Sequence, residues 1–391
     1  MIINLITILI FLIVISLFLF VIYKKQMNFW LLGYLLWQIK KKRAKSTETV
    51  HLLFCIVDHF EPGNEGVPLE RERQRVSQWV EKYPILASKH KDADGKPPQH
   101  TWFFPPHYNR QDHLQRLVQL CQNGYGDIEL HLHHGHLVPH FETPETLREK
   151  ILATINSYVK YGIFISSKVS DTGIQYGFIH GDWALDNSRR GKWCGINNEL
   201  TILKETGCYA DFTFPSINES QPRKVNSIYY AKDNPDKPKS YNTGIDVKVG
   251  TNLAKDLMII EGPLGLRWKK RWRLPYPAIE YGDLTGTNPP TEKRIDFWIK
   301  TGIHVKGRTN WVIIKLHTHG APEENHEALL GSTADKMFGY LETQYNDGQR
   351  YKLHYCTARE LYNTIKSAEA GKYEDPNQYR DYLISPYNYH T

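Results

Sequence analysis

No charged side chain occurs in the first 23 residues, MIINLITILIFLIVISLFLFVIY. Nowhere does a CxxC appear, and the five cysteines, Cys55, Cys121, Cys194, Cys208 and Cys356, are odd in number and widely scattered. This argues against a disulfide framework or a zinc ribbon, and reduced thiols agree with a cytoplasmic face. A repeat of solenoid period is also missing. Of the formal net charge of +7, residues 24–44 (KKQMNFWLLGYLLWQIKKKRA) supply six, which leaves the rest close to neutral. Nucleic acid is therefore not the implied partner.

The uncharged N-terminal run is long enough to cross a bilayer, since 23 helical residues rise about 35 Å. A cleaved signal peptide has a basic n-region, a shorter apolar core and a small-residue cleavage site. Here no Lys or Arg precedes the run and no A-x-A follows it. The expectation is an uncleaved single-pass anchor over 1–23 that contacts membrane lipid. Lys24, Lys25 and KKKRAK at 40–45 all follow it, so the positive-inside rule places the remaining chain in the cytoplasm. Within the juxtamembrane segment 24–45, NFWLLGYLLW (28–37) is too short to span. It suits either an interfacial helix, with Trp30, Tyr34 and Trp37 at headgroup level, or a collar helix packed on the folded domain.

From residue 46 onward apolar strands alternate with amphipathic helices. HLLFCIVDHF (51–60), HTWFFPPHY (100–108), DIELHLHH (127–134), YGFIHGDWAL (176–185) and YADFTFPS (209–216) read as strands. So do DLMIIEGPLGL (256–266) and NWVIIKLHTHG (310–320), and a last strand and helix occupy 350–371. Helices are expected over 71–90, 113–122, 143–162 and 198–207. The third has Thr143 as N-cap, Pro144 just inside and Gly162 at its end. Seven or eight such units in one order predict an α/β fold, a parallel (β/α) barrel over 46–391. Residues 217–255, rich in Asn, Lys, Pro and Ser, form an irregular excursion.

In a parallel barrel, chemistry collects where strands end. There stand Asp58-His59-Phe60-Glu61, His180-Gly181-Asp182-Trp183, Asp211, and His317-Thr318-His319. The end of the third strand is densest: five of the 18 histidines fall between His131 and His140. Neutral imidazole is the commonest metal ligand. Strand alternation puts Glu129, His131 and His133 on one face and Leu130, Leu132 and His134 on the other, so His131 and His133 can share an ion. His134 and His136 belong to the turn, where no period constrains them, and His140 suits the rim. Trp102, Phe103, Trp183 and Tyr209 are able to stack on a sugar ring, although core packing is the commoner fate of such residues.

These motifs, in this order, resemble the polysaccharide deacetylase superfamily over roughly residues 51–365. FCIVDHFEP stands where that family has an apolar strand ending in TFDDGP. ELHLHHGH corresponds to its H-S/T-x-x-H segment, IIKLHTHG to its late Leu-His strand end, and YADFTFPS to its "elGy..D.SfP" segment. The resemblance implies a distorted β/α barrel and a divalent metal, often zinc, held by an Asp and two His. Carried over by position, Asp58 becomes the general base, His59 takes the metal-binding Asp position, His131 is the first histidine ligand and His317 the general acid. The chain departs from the pattern at His59, and at Gly135, which sits fourth after His131. The second histidine ligand must then be His133, His134 or His136. No RxPY-type motif is evident, and HGDWALDN (180–187) is the segment left for its role. His180, Asp182, Trp183 and Asp211 are expected on the substrate side.

Joined to the N-terminal anchor, the resemblance implies a membrane-anchored, metal-dependent hydrolase removing N- or O-acetyl groups from an acetylated glycan or glycan precursor. Two alternatives remain: a non-catalytic carbohydrate-binding or assembly protein for cell-surface polysaccharide, and a hydrolase of another amide or ester.

Overall fold

A computed structural model describes residues 2–390 except 46, 109, 136–141, 166–173, 195, 252–254 and 272–273. His136 and His140 thus lie outside the described residues. Helix α1 (Ile2–Lys24) has apolar side chains all round, and none of its residues from Thr7 to Lys24 is buried. It is long and apolar enough to cross a membrane. Gln26, at φ 52°, turns the chain into a short 3-10 turn and then helix α2 (Leu31–Lys40). Trp30 and Tyr34 bury themselves with Met27, Val225 and Leu264, so this segment is a collar. Its other face exposes Leu32, Leu35, Leu36 and Ile39, which leaves it equally suited to an apolar boundary.

Beyond the collar the order is β1 (Val50–His59), α3 (Leu69–Ala87), β2 (His100–Phe104), α4 (Gln111–Gln122), β3 (Gly126–Leu132), α5 (Pro144–Val159), β4 (Tyr176–His180), α6 (Glu199–Glu205) and β5 (Cys208–Asp211). Next come β6 (Ile228–Ala231), β7 (Ile245–Asp246), β8 (Leu257–Ile260), β9 (Gly265–Arg271), β10 (Leu274–Glu280) and β11 (Asp283–Leu284). The chain ends with α7 (Glu292–Thr301), β12 (Trp311–Thr318), α8 (His326–Leu329), α9 (Ser332–Tyr345), β13 (Tyr351–Tyr355) and α10 (Ala358–Glu369). Thr143 caps α5 as its sequence requires: its hydroxyl accepts from the Thr146 N–H, and Pro144 follows at the first turn.

One sheet organises the fold, in the order β11-β12-β1-β2-β3-β4-β5-β8-β6-β7, and it is parallel from β11 to β8. Strand β1 is its centre. One edge pairs with β12 along nearly its whole length, while the other pairs with β13 from Val50 to Phe54 and with β2 from Ile56 to His59. All ten of its residues are buried, the reason it reads as an apolar run without alternation. The excursion at 217–255 is less irregular than its composition implies, because β6 pairs antiparallel with β8 and β7 antiparallel with β6, extending the sheet. The β9–β10 hairpin, α7 and α9 have no counterpart in the sequence reading.

A ladder closing the sheet into a barrel is not found among the described residues, since the path ends at β11 and β7. The two halves nevertheless touch. Lys315 on β12 donates to the carbonyl oxygens of Phe212, at 2.6 Å, and Phe214. Gly262, just past β8, lies so near β12 that a Cβ there would stand 2.2 Å from the Lys315 carbonyl oxygen.

Candidate active site

Register decides which strand-end residues meet. His59 lies beside Phe103, Phe103 beside Glu129, and His131 beside Ile179, while Val57 lies beside His317. Neighbours in register share a face, so His59, His131, His317 and the residues two further on, Glu61, His133 and His319, project to one side. Asp58, in register with Trp102 and Thr318, projects to the other.

Three donor atoms converge on that first side: Glu61 Oε1, His131 Nε2 and His133 Nε2, all within 4.8 Å of one another. The two imidazole nitrogens are 3.1 Å apart, and the Glu61 oxygen is 2.8 Å from one and 3.8 Å from the other. Donors around a tetrahedral ion with bonds of about 2.0–2.1 Å lie about 3.3 Å apart, so the spacing fits. The tautomers fit as well. His131 Nδ1 is 2.9 Å from the Ile179 carbonyl oxygen, which only accepts, so Nδ1 holds the proton and Nε2 presents its lone pair. His133 Nδ1 is 3.2 Å from Asp182 Oδ2, the carboxylate–histidine support that orients metal-binding imidazoles.

Without an ion, a proton occupies the same place. Burial disfavours charge on His133, but Asp182 and Glu61 outweigh it and raise its pKa to about 9. Burial likewise opposes ionisation of Glu61, yet His131 and His133 beside it hold its carboxyl well below the usual range. His131 is pushed down by burial despite Glu61. The site is thus a carboxylate between two imidazoles, ready to exchange a proton for a cation.

Around this trio stands a partly apolar wall. His59 lies 4.9 Å from the His131 ring and stacks on His319 at 4.7 Å, and Trp183 packs on His59 at 5.5 Å. His317 sits deeper, between Trp183 and Tyr281. Burial, then His319, lowers the pKa of His59 well below its ordinary value, and burial, then Lys315, does so for His317. His59 Nε2, His317 Nδ1 and Trp183 Nε1 are buried without a hydrogen-bond partner among the described residues. Asp182 and Trp183 are held at φ 54°, a left-handed conformation costly for such residues and common at ligand sites. Gly181 permits this approach: a Cβ there would lie 2.4 Å from His133 Nδ1. A cleft of about 740 Å³ opens beside the trio, lined by Glu61, His107, Tyr108, His133, Lys150 and Asp182 among others.

Several expected residues stand elsewhere. Asp58 is sealed on the opposite face, where Oδ1 accepts from Gly320 N–H at 2.6 Å and Oδ2 from His100 Nε2 at 2.9 Å. His59 touches the His131 ring but is not among the converging donors, and Glu61 takes that position. His134 leaves the group because it projects to the other face, where it meets His180, Cys194 and Glu199. His180 joins it there, in register with Leu132 rather than His131. Asp211 is fully buried and accepts from the backbone and hydroxyl of Thr213 in a local turn, with burial raising its pKa to about 7. Of the aromatic candidates, Trp102, Phe103 and Tyr209 are core residues, and only Trp183 reaches the site. Alternation alone identifies Glu61, two residues past His59 on the same face. His107 has no comparable signal, because only the turn after β2 delivers it.

No family model matches the chain, and no curated protein matches it. Among solved structures it is similar to a candidate glycoside hydrolase/deacetylase from Parabacteroides distasonis, at 11% identity over 86% of this chain and 74% of that one, with a TM-score of 0.46. It is also similar to 4-alpha-glucanotransferase from Thermococcus litoralis, at 12% identity over 84% of this chain and 41% of that one, with a TM-score of 0.35. Both likenesses are too distant to assign an activity.

Proposed function

We propose that this chain is a membrane-anchored, metal-dependent hydrolase that removes acetyl groups from a glycan or glycan precursor. Residues 46–391 would form the distorted β/α barrel, and α1 the anchor, with the barrel on the cytoplasmic side. One observation carries the reading: Glu61, His131 and His133 converge with metal-ligand spacing and tautomers beside a cleft of sugar size. The resemblance of the surrounding motifs supplies the reaction class.

A divalent ion, zinc by preference for imidazole and carboxylate, would polarise the acetyl carbonyl and acidify a bound water. The protein's own residues do the rest. Asp182 keeps His133 aimed through Nδ1. Trp183 and His59 pack together as one wall of the site. His317, held neutral by burial, suits proton acceptance before donation. His319, half-buried with Nε2 3.9 Å from Glu61 Oε2, lines the same face, and the proton that His317 accepts from water would return from His317 to the departing amine or alkoxide. Asp58 takes no part in proton transfer here, because both its oxygens are occupied on the far face.

The test is acetate release from acetylated oligosaccharides by the full chain in detergent, before and after chelation, with His131→Ala alongside. Chelation and the substitution should each abolish release, and zinc should restore it to the parent alone. A metal-loaded parent that releases no acetate from any acetylated glycan would overturn the proposal in favour of a carbohydrate-binding or assembly role.

A further inference from the structure

On the other face of the sheet, His134, His180, Cys194 and Glu199 bring one donor atom each to within 4.8 Å of one another, and all four are buried. His134 Nε2 is 2.8 Å and His180 Nε2 3.4 Å from Glu199 Oε1, and Cys194 Sγ is 3.3 Å from Glu199 Oε2. Donors around a tetrahedral zinc with one sulfur lie about 3.3–3.6 Å apart. The supporting contacts have the form that metal sites use. His134 Nδ1 faces the Glu142 carboxylate, His180 Nδ1 faces the Gly181 carbonyl oxygen, and Cys194 Sγ accepts from Asn187 N–H at 3.3 Å.

Hydrogen bonding alone leaves this cluster unsatisfied. The Gly181 carbonyl only accepts, so His180 carries its proton on Nδ1 and turns the bare lone pair of Nε2 toward a carboxylate oxygen. That nitrogen is fully buried and has no hydrogen-bond partner among the described residues. Two acceptors facing each other in a dry interior are costly, and a cation between them reverses the sign.

We propose that His134, His180, Cys194 and Glu199 form a second, closed metal site that holds a structural zinc-type ion independently of any hydrolysis at the mouth. Charge balances on binding: the ion brings two positive charges, while one proton leaves His134 Nε2 and one leaves Cys194 Sγ. A dry site with four protein ligands and no open position is structural. Its object is the connection from β4 to α6, which holds Asp182, Trp183, Asp186, Asn187, Arg190 and Trp193 at positive φ. Such backbone persists only where the surroundings over-determine it. Asp186 N–H donates to Glu199 Oε2 at 2.6 Å, so two of the ligands also grip this connection, and its near end delivers Asp182 and Trp183 to the mouth.

Cobalt(II) separates the two sites, because only this one contains a thiolate. The full chain in detergent, stripped and loaded with cobalt(II), should show a near-ultraviolet thiolate-to-cobalt charge-transfer band. His131→Ala should keep that band. Cys194→Ser should lose it, and the tightly held metal should fall by one equivalent per chain. Cys194→Asp, which retains an oxygen ligand, should keep the metal without the band and so guards against simple misfolding. A parent protein that binds cobalt(II) without the band, or a folded Cys194→Ser chain with the parent's full metal content, would overturn the proposal.

Discussion

Replacing Asp58 by Asn separates the role that the resemblance implies for this residue from the one that its contacts give it. As a general base, Asp58 would be worth roughly two to four orders of magnitude in rate, with fold and metal untouched. The structure gives it a different task. Its carboxylate is fully buried and ties the backbone after β12 to β1 through Gly320 N–H, while it holds His100 through Nε2. Gly320 allows no relief, since even a Cβ there would lie 2.1 Å from Asp58 Oδ2. Asn keeps one acceptor for Gly320 but turns an NH₂ toward the His100 N–H, setting donor against donor. A buried donor left unpaired costs about 1–3 kcal/mol, and the lost charge-assisted bond lies in the same range. Asp58→Asn should therefore lower the unfolding free energy by about 2 kcal/mol and retain metal. Its hydrolysis should fall by no more than about tenfold, through slackened placement of His319 just before Gly320. Thermal or urea unfolding, elemental analysis and acetate release on one preparation provide the three readings. A rate loss of a hundredfold or more with unchanged stability would refute the reasoning and return Asp58 to the base position.

Other consequences follow from the same geometry. Gly181→Ala should displace His133 and weaken metal binding at the mouth by about 10–100-fold, the usual effect of disturbing a ligand's support, as read by competitive chelator titration. Burial lowers the folded pKa of Lys315 from 10.5 to about 8. Between those values the unfolded chain binds the extra proton, so the contribution of Lys315 to stability rises with pH, by roughly 2 kcal/mol from about pH 8 to about pH 10. Lys315→Met should lack that rise in unfolding measured at the two pH values, and an equal rise in both proteins would disprove it. A Lys45→Cys chain should resist an impermeant thiol reagent in intact cells and react after lysis. The five native cysteines are all buried and give little background, so labelling of intact cells would place the folded domain outside.

Much of the framework was legible in the amino-acid order because it rests on local physics. An uncharged run with no breaker makes α1, the Thr143-Pro144 pair starts α5, and the unbroken apolar run at 51–60 marks the central strand. Period-two alternation alone placed His131 and His133 together and already set His134 on the opposite face. Applied past the strand end, it also leads to Glu61. What the sequence could not provide was lateral register, because the residue beside a strand end is chosen by hydrogen bonding to chain far away. Pairing of β3 with β4 set Leu132, not His131, beside His180, and so divided one dense run of histidines between two faces of the sheet. Pairing of β1 with β12 and β2 turned Asp58 toward His100 and Gly320, although its neighbour His59 faces the mouth. Cys194 and Glu199 join His134 across sixty or more residues, through a connection of left-handed backbone that no periodicity announces. Residue type and spacing thus fixed what kind of chemistry this chain can hold, and the sheet's register decided which donors share it.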